Sequence, residues 1–244
     1  MKETISVVIP ACNEEKYLPA LLHSLTTQSF PPHEIIVVDN GSSDRTAEVA
    51  QDLGAIVICE LQRGAGQARN AGAAAASGSL ISFLDADCTV QQTYFELVAH
   101  ELLRKKKNVA VTGPVVFGEG LSRGSTVMVQ AGQRVVLRTL HEVLQGLGAG
   151  AIGSGANFTA RREIFLTAGG FRTMAHCYLE DVELAMRIVK KKLGRVVYAP
   201  HCSVTSSARR FTESHESPLA HAFMLTLGAL LLACNRKPCW KYNH

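Results

Sequence analysis

Asp85 and Asp87 stand one residue apart at the end of the apolar run Leu80-Ile-Ser-Phe-Leu. A run this short leaves no room for a helix and reads as a buried strand. In open α/β sheets ligands bind beyond the carboxyl ends of the strands, and two hard oxygen donors there suit Mg2+ or Mn2+ carrying a diphosphate. Asp is equally a common turn residue, so the pair alone also fits a plain strand-to-turn junction. Other stretches bear on the choice. Arg69 lies early in a helical run, where backbone N–H groups and a cation can meet phosphate together. Glu180-Asp181 opens another, and two acids there suit the positive end of the helix dipole.

The elements that must position these groups follow from periodicity. Ile5-Ser-Val-Val-Ile-Pro10 predicts the first strand, and Leu18, Leu21, Leu22 and Leu25 share one face of a helix within 14–28. Glu34–Asp39 is the second strand. Asn40-Gly-Ser-Ser-Asp44 is a turn whose serines can cap a helix over 45–53, and 55–59 is the third strand. A helix made largely of alanine follows Arg63 and stops before Gly78, and it leads into the strand that carries Asp85 and Asp87. Strand-helix units repeated in this way predict an α/β fold with a mostly parallel sheet and helices on both faces.

Beyond residue 90 the pattern is less regular. Helices are expected over 94–107, 125–147, 161–167 and 180–192, with a turn-interrupted strand over 109–117 and short strands at 195–198 and 203–205. The glycine-dense stretch 148–157 should be a loop running into another short strand.

Length and apolar content are enough for one large or two small domains without staples. The seven cysteines are odd in number and contain no C-x-x-C pair, which fits a reducing cytoplasm better than a disulfide framework or a zinc site. A net charge of +4 suits an anionic nucleotide or membrane surface but is too small and dispersed for a nucleic-acid protein. The chain reads Met1-Lys-Glu-Thr and enters a strand at once, so no signal peptide is expected. Residues 219–234 are apolar apart from His221, Thr226 and Gly228, and basic and aromatic residues follow to Tyr242. This stretch is shorter than the roughly 20 residues of a spanning helix, so it is expected as a buried core or homodimer helix or as a peripheral membrane contact on the cytoplasmic face.

Five stretches in order, Val7-Val-Ile-Pro-Ala-Cys-Asn-Glu14, Val37-Val-Asp-Asn-Gly-Ser-Ser-Asp44, Gly66-Gln-Ala-Arg-Asn-Ala-Gly72, Asp85-Ala-Asp87 and Leu179-Glu-Asp-Val-Glu-Leu-Ala-Met-Arg187, together resemble family 2 glycosyltransferases of the GT-A fold. The resemblance implies an enzyme that moves a sugar from a nucleotide diphosphate sugar to an acceptor, with Mn2+ or Mg2+ and with inversion at the anomeric carbon. It places a transferase domain over 1–210, with a nucleotide-binding half about 1–107 and an acceptor-side half about 108–210, followed by the tail 211–244. Residue by residue, it implies that Pro10, Ala11, Asn13 and Glu14 line the nucleotide pocket. Asp39 would accept from the base, for which a uracil N3–H is the natural donor, so a UDP-sugar is favoured. Asp87 would hold the metal directly, and Asp85 would reach the ribose or a metal-bound water. Gly155, Ala156 and Asn157 would form the acceptor-side loop, with Asp181 as the base beside Glu180.

The resemblance fails where many relatives carry a histidine after the strand that follows the Glu-Asp helix. His201 falls a few residues early, and Arg209 and Arg210 stand in that stretch, where they could grip the diphosphate. The acceptor, whether lipid, glycan or small molecule, is not legible. A rival reading is a dinucleotide-dependent oxidoreductase, since Gly64-Ala-Gly66 follows a strand and opens a helix, but Arg69 stands where the third glycine belongs. A silent nucleotide-sugar-binding or scaffold protein of the same fold is the other alternative.

Overall fold

A computed structural model describes residues 3–118, 132–172 and 179–209. The strands in chain order are β1 (Ile5–Ala11), β2 (Glu34–Asp39), β3 (Ile56–Cys59), β4 (Leu80–Leu84), β5 (Cys88–Val90), β6 (Asn108–Thr112), β7 (Val115–Phe117), β8 (Asn157–Arg161), β9 (Arg195–Tyr198) and β10 (Val204–Ser206). The helices are α1 (Leu18–Thr26), α2 (Thr46–Asp52), α3 (Ala65–Ala75), α4 (Tyr94–Arg104), α5 (Arg138–Gly146, preceded by a π-helical turn at Gly132–Leu137), α6 (Arg162–Ala168) and α7 (Glu180–Lys190). Of the expected helix over 125–147, only the part from Gly132 lies within the described residues; the apolar stretch 219–234 lies outside them.

Seven strands form the main sheet in the order β3-β2-β1-β4-β8-β6-β9. All neighbours are parallel except β8, which runs antiparallel to both β4 and β6. Side chains alternate across the pleat. Ile5, Val7 and Ile9 of β1 meet α1 and α4 on one face, and Val8 meets the apolar layer that includes α3, α6 and α7 on the other. The alanine content of α3 has a direct packing use, because a Cβ on Gly72 would lie 2.9 Å from Val38 Cγ2. The helix therefore sits closer to β1 and β2 than a larger side chain would permit.

Local chemistry also moved two expected features. Helix α1 starts at Leu18 rather than near Glu14, because Tyr17 and Leu18 N–H groups close a turn on the Glu14 carbonyl and Pro19 fits the first helical turn. The turn serines do not cap α2: Ser42 bonds Asp39 and Ser43 bonds Asn13, while Asp44 takes the Thr46 N–H. A second sheet of three short strands, β5-β10-β7, was not expected from the sequence. Its strands are too short to carry a period, yet β10 pairs with β5 immediately after Asp87 and so brings residues 204–209 to the carboxylates.

Candidate active site

The parallel strands β1, β2 and β4 all end at one edge, and the chemistry collects there. Asp85 and Asp87 follow β4, Asp39 ends β2, and the 12–17 loop leaves β1. The reversed strand β8 enters at this edge beside β4, with Leu84 opposite Asn157, so the loop 148–156 faces the loop that carries Asp85.

Arg69 joins the two acidic pairs. Its Nη2 donates to Asp85 Oδ1 at 2.6 Å and its Nη1 to Glu180 Oε1 at 2.9 Å, with the side chain only 8% exposed. The guanidinium lies against the Phe171 ring, 5.5 Å from its centroid. A Cβ on Gly155 would come within 2.7 Å of its Cζ, so that glycine makes room for the cation. Arg69 was expected to face phosphate. The structure instead places it inside, where it fixes the orientation of Asp85 and Glu180 and fills the space in which a dinucleotide fingerprint needs its third glycine.

Glu180 and Asp181 begin α7 with different surroundings. Glu180 rests on the first turn of α3, where a Cβ on Gly66 would meet its Cδ at 2.9 Å. Burial, partly offset by Arg69 and reinforced by Asp181 and Asp85, pushes its carboxyl up to about 7. Asp181 is half-buried; it accepts from Gly155 N–H at 2.7 Å and from Val182 N–H at 2.7 Å. Burial raises its carboxyl above the ordinary range against those hydrogen bonds and the Arg69 charge. The pair can therefore hold or accept a proton at a higher pH than a solvated carboxylate.

Asp87 accepts from Ser207 Oγ at 2.9 Å and faces Arg209 Nε at 3.4 Å. Arg209 also pairs with Glu14 and lies over the Tyr17 ring, 4.5 Å from its centroid. Glu14 Oε2 is buried with no hydrogen-bond partner among the described residues. Burial raises the Glu14 carboxyl, Arg209 lowers it, and the charges of Asp87 and Asp85 raise it further, which places three acids in one field. Among the described residues, no group of three His, Cys, Asp or Glu side chains could hold an ion by itself. His201 is exposed and pairs with Glu101 at 3.3 Å, not with Asp85 or Asp87. Arg210 lies outside the described residues.

The remaining expected residues build the walls. Pro10 and Ala11 pair in register with Val38 and Asp39. Asn13, at φ 58°, accepts from Ser43 N–H at 2.8 Å and donates its own N–H to Ser42 Oγ at 3.0 Å, so the loops after β1 and β2 are stitched together. Ala156 packs half-buried on the core. Asn157 is buried, with its amide spent on Tyr94 Oη at 2.7 Å and the Cys202 carbonyl at 2.8 Å. It locks the start of β8, and its side chain does not face the open edge.

Two residues that sequence reasoning missed are asparagines beside expected ones. Asn40 donates to the Glu60 and Gln62 carbonyls and accepts from Gly64 N–H, which fixes the loop after β3. Asn70 clasps Phe171 at both backbone N–H (2.8 Å) and carbonyl (2.7 Å). An asparagine inside a turn or an alanine-rich helix was the available signal, since its side-chain amide needs partners wherever it is covered.

The sequence model of Glycosyl transferase family 2 matches residues 6–167. The chain is 28% identical over 189 residues to an uncharacterized glycosyltransferase of Haemophilus influenzae, covering 77% of this chain and 62% of the relative. It is 38% identical over 100 residues to the glycosyltransferase AglE of Haloferax volcanii, covering 38% of this chain and 33% of the relative. The chain thus spans less than two thirds of the length of these relatives. Among solved structures it resembles a mannosyltransferase from Pyrobaculum calidifontis in complex with GDP-Man and Mn2+ (TM-score 0.75, 19% identity, 98% of this chain and 66% of that one). It also resembles glucosyl-3-phosphoglycerate synthase from Mycobacterium tuberculosis in complex with Mn2+, UDP and phosphoglyceric acid (TM-score 0.67, 24% identity, 97% and 80%). With a family match over most of its length and the fold of these structures, the chain belongs to glycosyl transferase family 2 and has the GT-A fold.

Proposed function

We propose that the chain is an inverting glycosyltransferase that moves a sugar from a nucleotide diphosphate sugar, preferably a UDP-sugar, to an acceptor hydroxyl. The observation that carries this reading is the Arg69 bridge, which holds a donor-side acid, Asp85, and an acceptor-side acid, Glu180, on the two ends of one buried guanidinium. A single displacement needs that arrangement, with charge stabilisation where the diphosphate leaves and a base on the opposite side of the sugar.

The residues present fit a divalent cation. Asp85 and Asp87 supply hard oxygen donors, and the Glu14 carboxylate, with Oε2 buried and unpartnered among the described residues, adds negative charge nearby. Phosphate oxygens and water would complete the octahedral set that Mg2+ or Mn2+ takes. When bound, the cation neutralises the charge that develops on the departing diphosphate. Arg209 stands beside Asp87, placed to meet the same phosphates. The two structural neighbours bind Mn2+ with GDP-Man and with UDP, which supports this donor chemistry.

On the acceptor side Asp181 takes the hydroxyl proton as the acceptor oxygen bonds to the anomeric carbon and the bond to the diphosphate breaks. The Gly155 N–H holds one of its oxygens in place. Incubation with a panel of nucleotide sugars and Mn2+, read as slow hydrolysis, tests the reading. Hydrolysis of a UDP-sugar is expected, and no turnover or binding of any nucleotide sugar would refute it.

A further inference from the structure

Two basic triplets far apart in the sequence meet at one edge of the fold. Lys105, Lys106 and Lys107 link α4 to β6, while Lys190, Lys191 and Lys192 close α7 and lead to β9; all six are exposed. Strands β6 and β9 are parallel neighbours with Asn108 opposite Arg195, so the two turns enter the sheet side by side. The Arg195 N–H donates to the Lys107 carbonyl at 2.7 Å, and a Cβ on Gly194 would lie 2.9 Å from that carbonyl. Because β4, β6 and β9 run in one direction, this is the amino-terminal edge of the sheet, opposite Asp85 and Asp87. The six lysines carry more positive charge than the chain's net +4, so the other residues together are net acidic and the fold gathers its excess of cations here.

Local structure uses little of this charge. The helix dipoles are already met in the last turns, by Arg104 in α4 and by Arg187 and Lys190 in α7. Lys191 Nζ makes long contacts with the Thr167 and Ala168 carbonyls, at 3.5 and 3.4 Å. Among the described residues no carboxylate pairs with Lys105, Lys106, Lys107 or Lys192, and the nearby acids are engaged, Glu101 by Arg104 and His201 and Glu142 by Arg195. Like charges held together repel, and an anionic surface relieves that repulsion.

We propose that this edge docks on an anionic lipid surface, with the two triplets acting together as one polybasic face. A bilayer suits the face better than a nucleic acid. Leu103, 61% exposed, stands beside the first triplet, where it can enter the headgroup layer. The exposed large hydrophobic side chains of the described residues include no aromatic ring, so the face offers no platform on which bases stack. Docked in this way, the chain turns the edge with Asp85 and Asp87 toward the aqueous phase. The proposal adds a surface to the transferase reading and does not depend on it.

The test is co-sedimentation of the full chain with vesicles of phosphatidylcholine alone or of equal parts phosphatidylcholine and phosphatidylglycerol, at about 0.1 M NaCl, where the Debye length is about 10 Å. The wild type should bind the anionic vesicles about 10-fold or more tighter than the neutral ones. Binding through an apolar segment alone would not distinguish the two. The triple variant Lys105→Gln, Lys106→Gln, Lys107→Gln should lose most of the preference, and so should Lys190→Gln, Lys191→Gln, Lys192→Gln, each folded by circular dichroism. Equal binding of both vesicles by the wild type, or a full preference kept by either variant, overturns the proposal. Absence of a vesicle preference, together with binding of a single-stranded RNA probe that the variants abolish, would overturn it in favour of a nucleic-acid face. None of these outcomes bears on the transferase reading, which nucleotide-sugar hydrolysis tests separately.

Discussion

Arg69 donates to Glu180 at 2.9 Å across 111 positions of sequence. The contact ties α3 to the start of α7, and the same guanidinium reaches Asp85, so three segments share one buried charge. Removing the cation leaves two acids without it in a poorly solvated place. Arg69→Ala should destabilise the chain by about 3–5 kcal/mol in urea titration. Arg69→Lys should fall between, because an ammonium lacks the planar fork that serves both acids.

Asp87→Ala should leave the fold intact, since the side chain ends in a loop beside Ser207 and Arg209 rather than in the core. Calorimetry of UDP binding with and without Mn2+ should show the metal-dependent part abolished. Metal dependence that survives the substitution would move the cation elsewhere.

Asp181→Asn keeps the shape and can still accept from Gly155 N–H, but it cannot take a proton. Donor binding should persist while transfer falls by about 10²–10⁴-fold, with the wild type giving a β-linked product from an α-linked donor by NMR. The acid limb of kcat/KM should lie above the ordinary carboxylate range, because burial raises Asp181. Glu180→Gln should move that limb to lower pH, since it removes a neighbouring negative charge and leaves Arg69 freer to stabilise ionised Asp181.

Gly66→Ala separates stability from chemistry. The new Cβ would press on the Glu180 carboxyl, which is the end of a flexible side chain, and alanine is the better helix former by about 1 kcal/mol. The melting temperature should hold or rise while transfer drops about tenfold or more, because a misplaced group near the chemistry is penalised steeply.

His141 is buried, with Nε2 2.9 Å from the Val196 carbonyl and Nδ1 3.1 Å from the Ile152 N–H and 3.2 Å from the Ile152 carbonyl, an arrangement that suits a neutral ring with its proton on Nε2. Burial lowers its pKa below 6.5, outweighing its backbone partners and Glu142. The unfolded chain therefore binds this proton more readily, and the His141 contribution to stability is present above about pH 6.5 and lost as pH falls through it. Between pH 7.5 and 5.5 the melting temperature of the wild type should fall more than that of His141→Gln. Equal slopes would show that the ring is not held neutral.

The first hundred or so residues were legible because their signals are local. Apolar runs of strand length, a leucine face and an alanine-rich helix each state their element within a dozen residues, and Asp39, Asp85 and Asp87 sit at strand ends that those runs define. What stayed hidden depends on distant pairing. The burial of Arg69 needs Glu180, Phe171 and Gly155, none of them near it in sequence. The reversal of β8 has no period of its own, and β5 and β10 are too short to announce a sheet. The serines after Asp39 looked like helix caps because capping is their commonest use, and only the positions of Asn13 and Asp39 show where the hydroxyls go.

The reversed strand has a consequence for how such a chain can change. Thr112, the last residue of β6, lies opposite Phe158 of β8, and its hydroxyl holds the Asn157 carbonyl at 2.8 Å. The stretch from 113 to 156 therefore departs and returns at neighbouring points, as an insertion would. Lengthening such a loop adds little closure entropy, about 0.6 kcal/mol per doubling. A different segment grafted at this pair of anchors leaves the register of β1, β2 and β4 untouched, so one sheet can accept many recombinable partners.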